Sequence, residues 1–362
     1  MENSALGIMT VHIPGNPPFP EREFFRRLIE TGKQIGIPVI VFHPTGLQFE
    51  TRTVKGFSLD QNNQWKSVTA PIPKFIYDRC FYLGTKYNRI YKPYIARLVN
   101  SKGVRFLGLG LKGKWQMYEL VSKHPTLASY LPPTEQVENL NQIQLWLQRY
   151  PSIILKPKNG SLGIGVIKAT QSNRSILVEG RSTDNVPFQK NFTSFQSFAA
   201  FFRSSKKRWK YLIQPYLTLT TQQGIPFDVR LLVQKDGSGQ WATTGKAIRM
   251  GSGKSITSNL HGGGRAFSFE GFLQQNYTLK EAEKIKSHMA VLESALPKYL
   301  EQHHGPLVEL GIDIGIDNDH NIWLIEVNSK PGRQIFEQLQ DQEAVLKSQL
   351  CPLYYAKYLM RF

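Results

Sequence analysis

The N-terminal part of the chain alternates short apolar runs with one strongly amphipathic segment. Residues 6–11 and the β-branched run IPVIVF at 37–42 have the length and composition of buried strands. Between them, EREFFRRLIETGKQIG repeats its apolar residues at helical spacing, so the chain is predicted to begin as β-α-β. A polar, hairpin-like stretch follows, and then strands at KFIYDRC and VRFLG with a helix over 88–101 between them. This pattern predicts an α/β domain over residues 1–108, before the glycine-rich linker GLGLKGKW.

The middle of the chain has shorter strands around one amphipathic helix. A helix is predicted from Lys114 to about Lys123, and LNQIQLWLQRY predicts another after the break at Pro132 and Pro133. Strands are then predicted at SIILKP, GVIKAT, SILVEG and YLIQPYL, with the helix SFQSFAAFF before the last of them. We expect a compact α+β lobe, with its linker, over residues 109–216.

The last part of the chain pairs long apolar strands with two long helices. Strands are predicted at FDVRLLVQK and WATTGKAIRM, and helices over 280–303 and 342–359. The runs LVELGIDIGID and NIWLIEVN are separated by the turn residues NDHN, which predicts a hairpin. We expect a second, larger lobe over residues 217–362. The predicted fold class is therefore α/β, with two α+β lobes after the N-terminal domain.

A glycine-rich loop follows the first strand of the smaller lobe. IILKPKNGSLGIGV places Lys156 at the end of an apolar strand, before a loop that contains Gly160, Gly163 and Gly165. Glycines let backbone N–H groups approach phosphate oxygens, and a lysine supplies a compact cation. The order of residues excludes a Walker A loop, a dinucleotide fingerprint and a protein-kinase loop. On this motif alone, a phosphate cradle and a glycine-rich hairpin with a solvated lysine both remain open.

Three oxygen-bearing side chains converge at the hairpin of the larger lobe. Alternate residues of a strand point to one side, so Glu326 and Asn328 share a face while Val327 points to the other. Asp313 lies on the preceding strand, and the hairpin brings it beside them. Carboxylate and amide oxygens without histidine or thiolate suit Mg²⁺, which proteins commonly share with nucleotide phosphates. The alternative is a strand that ends in a polar loop, and the nearby glycine loop with its lysine argues against it.

Composition narrows the class of protein but does not identify a partner. The 362 residues carry 45 Lys and Arg against 27 Asp and Glu, a net charge of +18, which favours an anionic partner. The densest basic cluster, SSKKRWKY, is short, and no zinc-finger spacing occurs, so nucleic acid is not favoured as the partner. Two cysteines, no signal-like start and no membrane-length apolar run lead us to expect a soluble, cytoplasmic protein.

The order of these motifs resembles that of the ATP-grasp enzymes, in particular the glutathione synthetase and RimK-like ligases. The resemblance covers residues 114–333 and rests on Lys114, LKPKNGSLGIGV, QPYL, FDVRLLV, AIRM followed by TSNLHGGG, GIDIGID and EVNSKPG. With LGIMT, FPEREFFRRL and IYDR, the whole chain resembles the YheC/YheD group, endospore coat-associated proteins of spore-forming bacteria. The resemblance implies a pre-ATP-grasp-like N-terminal domain, a two-lobed ATP-grasp fold and a role in sporulation.

The resemblance also implies a set of binding residues for ATP. The lysines would contact the phosphates, the GSLGIG loop would fold over them, the QPYL segment would frame the adenine, and an aspartate would contact the ribose. The implied nucleotide-binding residues are Lys114, Lys156, Gly160, Ser161, Gly163, Gly165, Gln214, Tyr216, Leu217 and Asp228. The implied metal ligands are Asp313, Glu326 and Asn328, for Mg²⁺ or alternatively Mn²⁺.

Catalytic and substrate-binding residues follow from the same resemblance. Arg249, Asn259 and Lys156 would face the transferred phosphate and an acyl intermediate. Arg230 and Arg333 would face a carboxylate substrate. The alternative for these arginines is structural, since arginines on strands commonly pair with carboxylates.

Three classes of function remain open at this point. The first is a ligase that joins a carboxylate to an amine, or alternatively to a thiol, through an acyl phosphate, with unknown substrates, for example an anionic peptide or a cell-wall component. The second is an ATP-grasp kinase that phosphorylates a hydroxyl group. The third is a nucleotide-binding structural protein of the spore surface, with spore-coat proteins as partners. The expected location is the cytoplasm of the mother cell or forespore, with association with the spore coat as an alternative.

Overall fold

The fold is organised around separate β-sheets. A computed structural model of the chain describes residues 5–81, 85–158, 163–173, 175–182, 186–206, 210–251 and 264–361. Within these residues the strands form two six-stranded sheets and one five-stranded sheet, which follow one another along the chain. Gly160, Ser161 and Asn259, which were predicted as site residues, lie outside the described residues.

The first sheet is parallel at its centre and carries a helix on each face. Its strands are β1 (Leu6–Thr10), β2 (Val39–Gln48), β3 (Thr53–Leu59), β4 (Trp65–Pro71), β5 (Phe75–Arg79) and β6 (Arg105–Phe106), in the order β4-β3-β2-β1-β5-β6. Strands β2, β1, β5 and β6 run parallel, as the predicted β-α-β start requires. Helix α1 (Arg22–Ile35) packs its apolar stripe on one face, and α2 (Thr85–Val99) covers the other face.

The second sheet is antiparallel and forms a small lobe. Its strands are β7 (Glu135–Gln136), β8 (Ser152–Pro157), β9 (Ile167–Gln171), β10 (Ile176–Arg181), β11 (Pro187–Phe192) and β12 (Tyr211–Pro215), in the order β11-β10-β9-β8-β12-β7. Helices α4 (Leu140–Arg149) and α5 (Phe195–Lys206) bury aromatic and aliphatic residues against one face. The opposite face therefore remains available for polar side chains such as Lys156.

The third sheet carries the largest core. Its strands are β13 (Phe227–Lys235), β14 (Trp241–Met250), β15 (Arg265–Ser268), β16 (Glu309–Ile316) and β17 (Ile322–Asn328), in the order β15-β14-β13-β16-β17. Helices α6 (Phe269–Asn276) and α7 (Leu279–His304) cover one face, and the described helices include none long and apolar enough to cross a lipid bilayer. Helix α3 (Lys114–Val121) and a 3₁₀-helix (Leu127–Tyr130) also pack on this core, although the predicted division assigned them to the smaller lobe.

The C-terminal helices close the molecule by packing back on earlier parts of the chain. Helix α8 (Gln334–Gln338) and the start of α9 (Gln342–Leu359) lie on the second face of the third sheet. The later turns of α9 join the core of the first sheet, with Leu353 and Ala356 fully buried beside α1. The N-terminal and C-terminal ends of the chain thus share one hydrophobic core.

Candidate functional site

The end of the hairpin between β16 and β17 holds the three predicted metal ligands. In the strand register Asp313 lies directly opposite Glu326, and Asn328 lies opposite Gly311. Beyond this pair the register shifts, because Ile314 pairs with Leu324 and leaves Ile325 as an extra residue. A β-bulge at Ile325 therefore interrupts the ladder beside the carboxylates.

The bulge decides which way the acid points. Ile322 and Leu324 face the hydrophobic core, so strict alternation along the strand would turn Glu326 into the same core. One extra residue reverses the alternation: Val327 packs on the core, while Glu326 and Asn328 join Asp313 on the other face. Strand alternation predicts the shared face of Glu326 and Asn328, but it does not predict the bulge that turns this face away from the core.

Asp313 is almost buried and lies between two arginines. Arg230 on β13 donates from Nε to Oδ1 at 2.7 Å, and Arg249 on β14 approaches Oδ2 with Nη2 at 3.0 Å. Burial alone would raise the pKa of Asp313, but the two guanidinium groups outweigh it and hold this pKa below its ordinary value. The carboxylate of Asp313 is therefore ionised at neutral pH, as an oxygen ligand for a cation must be.

Asp228 holds Arg249 from the other side. Its two carboxylate oxygens accept from Nε and Nη2 of Arg249, both at 2.6 Å, in a bidentate pair on neighbouring strands. The resemblance gave Asp228 a contact with ribose, but in the structure its carboxylate pairs with Arg249. Asp228, Arg230, Arg249 and Asp313 form one group of two carboxylates and two arginines, which we call the site cluster.

Lysines from two other elements approach the same strand end. Nζ of Lys114, the first residue of α3, lies 3.6 Å from a carboxylate oxygen of Glu326. Lys156, near the end of β8 in the second sheet, is half-buried and lies close enough to both groups for their charges to act on it. Burial, and next the positive charge of Lys114, lower the pKa of Lys156 to about 8, while Glu326 acts in the opposite direction. The second and third sheets thus present opposite charges to each other.

Two of the predicted nucleotide-binding residues, Gln214 and Lys156, lie on the polar face of the second sheet, and two more follow β12. Gln214 on β12 donates its amide to Thr134 Oγ1 at 2.7 Å, and Tyr216 follows with Lys168 above its ring at 4.2 Å. Leu217 comes next and is half-buried. Gln214 lies on the face of the sheet opposite its core, as does Lys156 two strand positions away across the β8–β12 pairing.

The end of the loop after β8 has a backbone conformation that favours glycine. Gly163 and Gly165 both adopt positive φ, 74° and 73°, where other residues are strained. The amide of Gly165 donates to the carbonyl of Arg181, which fixes this end of the loop against β10. The two glycines are therefore required by the loop itself, whatever it binds.

Arg333 lies in a different cluster from the other predicted site residues. It is buried beside Glu309, and its guanidinium also donates to Tyr77 Oη and to the carbonyl of Ser348. Arg79 approaches the same Glu309 at 2.9 Å and pairs with Glu21 at 2.6 Å. We call Glu21, Tyr77, Arg79, Glu309 and Arg333 the junction cluster, because it joins the first sheet to the third. Its contacts occupy the Arg333 guanidinium and do not leave it directed toward a substrate.

The residues that tie the site to the N-terminal domain were not among the predicted site residues. The segment after Asn328 is held by Lys330, whose Nζ pairs with Asp78 at 2.8 Å and donates to the carbonyl of Cys80. The carbonyl of Pro331 accepts from Arg79. The motif IYDR contains Asp78 and Arg79, but no local pattern could reveal partners about 250 residues away in sequence.

The donor set at the hairpin fits a hard divalent cation. Within the described residues, no group of three or more His, Cys, Asp or Glu side chains could hold a metal ion. The site instead offers two carboxylates and an amide oxygen on one face of adjacent strands. That set suits Mg²⁺, which keeps several waters and is shared with phosphate oxygens, better than it suits zinc.

Comparison with solved structures defines the class of protein. D-cycloserine synthetase DcsG matches with a TM-score of 0.52 and 12% identity over 99% of each chain. An ATP-grasp ligase associated with a RiPP in Chryseobacterium gregarium, in complex with ADP and a leader and core peptide, matches with a TM-score of 0.50 and 11% identity over 98% of this chain and 97% of the other. The likeness shows the fold, which is that of the ATP-grasp proteins.

The family follows from sequence comparison. The family model described as YheC/D like ATP-grasp matches residues 103–359, so the chain belongs to that family. Endospore coat-associated protein YheC of Bacillus subtilis strain 168 is 31% identical over 344 residues, covering 94% of this chain and 93% of the relative. Endospore coat-associated protein YheD of the same strain is 28% identical over 88% of this chain and 70% of its own length. The predicted family and fold class are thereby confirmed.

Proposed function

We propose that the chain binds ATP with Mg²⁺ between the second and third sheets. One observation carries this proposal: Lys114, Lys156 and Glu326 come from three separate elements and meet at one place. Two lysines beside an acidic strand end form an environment suited to a triphosphate bridged by a divalent cation.

Each part of the site would have its own role toward the nucleotide. Lys114 and Lys156 bind phosphate oxygens, and in the absence of nucleotide Lys114 pairs with Glu326 instead. Asp313, Glu326 and Asn328 would hold Mg²⁺, which supplies charge neutralisation at the transferred phosphate when it is bound. The half-buried segment of Gln214, Tyr216 and Leu217 would contact the base.

The reaction that this site supports best is ligation of a carboxylate to an amine. A carboxylate oxygen attacks the γ-phosphorus, the bond to the ADP oxygen breaks, and an acyl phosphate forms. The amine nitrogen then attacks the acyl carbon, the bond to the phosphate oxygen breaks, and inorganic phosphate and a proton leave. Both steps gather negative charge, which Lys156 and Arg249 would stabilise; one such preorganised donor is worth roughly 3–4 kcal/mol.

Arg249 is suited to this role because its orientation is fixed beforehand. Asp228 and Asp313 hold its guanidinium from two sides, and the residue is only 7% exposed. A donor that is already oriented costs no reorganisation when charge develops in the transition state. Arg230, which pairs with Asp313 on the same face of the sheet, would bind the carboxylate substrate.

A second candidate is a nucleotide-binding structural protein of the spore coat. The observation that favours it is the description of both curated relatives, which names association with the endospore coat and no reaction. In either case we infer a role in sporulation, with the protein in the mother cell or forespore or bound to the coat. The two candidates differ in turnover and not in the binding of ATP.

Calorimetry and an ADP-release assay separate these candidates. ATP is titrated with and without Mg²⁺ into the wild-type protein, Lys156→Ala and the control Lys190→Ala, whose lysine is exposed on β11 of the same sheet. ADP release is then screened against pools of amino acids, short acidic peptides and cell-wall fragments, with hydroxylamine present to trap an acyl phosphate. Hydroxamate formation supports the ligase, ADP with a phosphorylated hydroxyl product supports a kinase, and binding without ADP release supports the structural protein. Absence of ATP binding overturns the proposal.

A further inference from the structure

A short chain of hydrogen bonds ends at Gln214, one of the residues proposed to contact the base. Thr134 lies one residue before β7 in the second sheet and is only 7% exposed. Its hydroxyl donates to the carbonyl of Pro132 at 2.8 Å. Nε2 of Gln214, on the neighbouring strand β12, donates to the same hydroxyl oxygen at 2.7 Å. The hydrogen bonds therefore run from Gln214 through Thr134 to a backbone carbonyl.

The chemistry of these groups fixes the direction of both hydrogen bonds. A hydroxyl group has one hydrogen to donate, and a carbonyl oxygen can only accept. Because the hydrogen of Thr134 goes to Pro132, the oxygen of Thr134 can only accept from Gln214. With its amide turned over, Gln214 would place Oε1 against this oxygen with no hydrogen between them, or would take the hydrogen away from Pro132. Within the described residues, no other group donates to the carbonyl of Pro132.

The other end of the Gln214 amide is open. Gln214 lies on the polar face of the second sheet, which also carries Lys156. In the part of the chain that the structure describes, Oε1 of Gln214 has no hydrogen-bond partner, and it is not buried. Nε2 is covered by Thr134 and Oε1 is accessible, so a ligand on this face meets an acceptor.

Purine bases differ in the group that such an acceptor would meet. Adenine carries an amino group at C6, which donates, whereas guanine carries an oxygen there, which only accepts. A glutamine that is free to turn could present its NH₂ group or its oxygen, and so could pair with either base. A glutamine with a fixed amide pairs with the amino group and leaves its oxygen unpaired beside a 6-oxo group.

We propose that Thr134 is a positioning residue that makes the nucleotide site select adenine and reject 6-oxo purines. It acts through Gln214, whose Oε1 accepts from the amino group at C6 of adenine. A site built to receive this N–H group discriminates against an analogue that lacks it, because a polar group is then left unpaired. The inference rests on the proposed binding of ATP and adds the device that selects the base.

A second threonine–glutamine pair, in the third sheet, has the opposite arrangement. The hydroxyl of Thr244 donates to Oε1 of Gln234 at 2.7 Å, and both residues are buried. Nε2 of Gln234 donates to Glu309 and to the carbonyl of Ser348. Both ends of this amide are therefore used inside the protein and none is presented to a ligand, so Thr244 supplies a matched control for Thr134.

Titration of the full chain with ATP, ITP and GTP in the presence of Mg²⁺ tests the proposal. Thr134→Val removes the hydroxyl with little change of shape, Thr134→Ser keeps it, and Thr244→Val removes the hydroxyl of the control pair. In Thr134→Val/Gln214→Glu, a carboxylate, which only accepts, replaces the amide that can turn. The measured quantity is the ratio of the ITP and ATP dissociation constants, in which effects of charge on the triphosphate cancel. Circular dichroism and the unfolding midpoint verify that each variant is folded.

We expect the wild-type protein, Thr134→Ser and Thr244→Val to bind ATP at least about tenfold more tightly than ITP or GTP, since one hydrogen bond is exchanged for an unpaired acceptor. In Thr134→Val the amide of Gln214 can turn, so ATP and ITP should bind about equally. The double variant should restore the preference for ATP. Because ITP lacks the 2-amino group of GTP, it isolates the effect of the 6-oxo group.

Gln214→Leu removes the acceptor without altering Thr134, and it should also lose the preference for ATP, which keeps the test decisive if Thr134→Val does not fold. Three results would overturn this inference while leaving ATP binding intact: equal affinity of the wild-type protein for ATP and ITP, an unchanged preference in Thr134→Val, or a double variant that stays unselective. Rejection of GTP with acceptance of ITP would assign the selection to the 2-amino group and overturn it as well. Absence of binding of all three nucleotides would overturn the proposed function and this inference together.

Discussion

Strand β16 carries two acids four residues apart on the same face of the third sheet, and each lies between two arginines. Glu309 belongs to the junction cluster and is 0% exposed, as is its partner Arg79. Asp313 belongs to the site cluster and is 8% exposed. It lies beside Glu326 and Asn328, near the end of β17. Each cluster has two carboxylates and two arginines, so charge balance does not distinguish them.

The difference lies in what closes each cluster. Glu309 accepts from Tyr77 at 2.6 Å and from Gln234 at 3.0 Å in addition to its arginines, and the first sheet and α9 cover it. Burial raises the pKa of Tyr77 well above its ordinary value, which keeps the phenol as a donor to Glu309. Among the described residues, the carboxylate of Asp313 accepts from its two arginines alone, and two lysines outside its sheet approach the same strand end. The junction cluster therefore joins two sheets through sealed ion pairs, whereas we propose that the more exposed site cluster takes part in ligand binding.

The largest expected effect is on stability, at the sealed cluster. Glu309→Gln keeps the shape but removes the charge and turns an amide N–H₂ group toward a guanidinium. Arg79 would keep Glu21, but Arg333 would lose its carboxylate partner and become an uncompensated buried charge, which typically costs about 3–5 kcal/mol. Urea unfolding of the variant should show this loss of free energy of unfolding.

Two matched variants sharpen this comparison. Asp313→Asn should lose less stability, because Asp313 is 8% exposed whereas Glu309 is 0% exposed, and Arg249 keeps Asp228 as a partner. Glu50→Gln, which breaks an exposed pair with Arg97, should change stability little. Equal losses for Glu309→Gln and Asp313→Asn would remove the distinction between sealed and open clusters.

The next effect concerns nucleotide affinity at the open cluster. Lys156→Ala should weaken ATP binding by about 10- to 100-fold, since a hydrogen bond from a charged donor contributes roughly 1.5–3 kcal/mol. Lys190→Ala is the control and should bind ATP as the wild-type protein does. If calorimetry gives the same affinity for all three folded proteins, Lys156 is not a phosphate ligand.

A smaller effect is expected from pH. The pKa of Lys156 is about 8 in the folded protein, against an ordinary value of 10.5, so its positive charge is lost above pH 8. ATP affinity should therefore fall above pH 8, by up to about tenfold per pH unit, while Lys156→Arg should keep its affinity because arginine stays charged. Without nucleotide the sign is opposite: the unfolded chain binds the extra proton between pH 8 and 10.5, so Lys156 makes stability rise with pH there. A wild-type affinity that is constant from pH 7 to 9.5 would contradict this assignment.

Much of the fold and part of the site follow from local sequence patterns. Strand alternation and the turn residues NDHN are both visible in the local sequence. Together they predict that Asp313, Glu326 and Asn328 lie close to one another. The bulge at Ile325 could not be predicted from the local sequence. It depends on whether burial of Glu326 in the core would cost more free energy than interrupting the hydrogen bonds between β16 and β17. The partners of Arg333 lie up to 256 residues away in sequence, so its place in the junction cluster required the tertiary structure. The roles of Gly160, Ser161 and Asn259 stay predictions, because these residues lie outside the described part of the chain.

The most direct test of the account is the Mg²⁺ dependence of ATP binding at Glu326. ATP is titrated, with and without Mg²⁺, into the wild-type protein, Glu326→Gln and the control Asp319→Asn, which removes one exposed acid from the turn of the same hairpin. We expect Mg²⁺ to raise the ATP affinity of the wild-type protein and the control by at least about fivefold, a modest coupling between two ligands. In Glu326→Gln, which should remain folded, Mg²⁺ should have little effect. An equal response to Mg²⁺ in all three proteins would remove Glu326 from the metal site and contradict the account of why this strand ends in an acid and an amide.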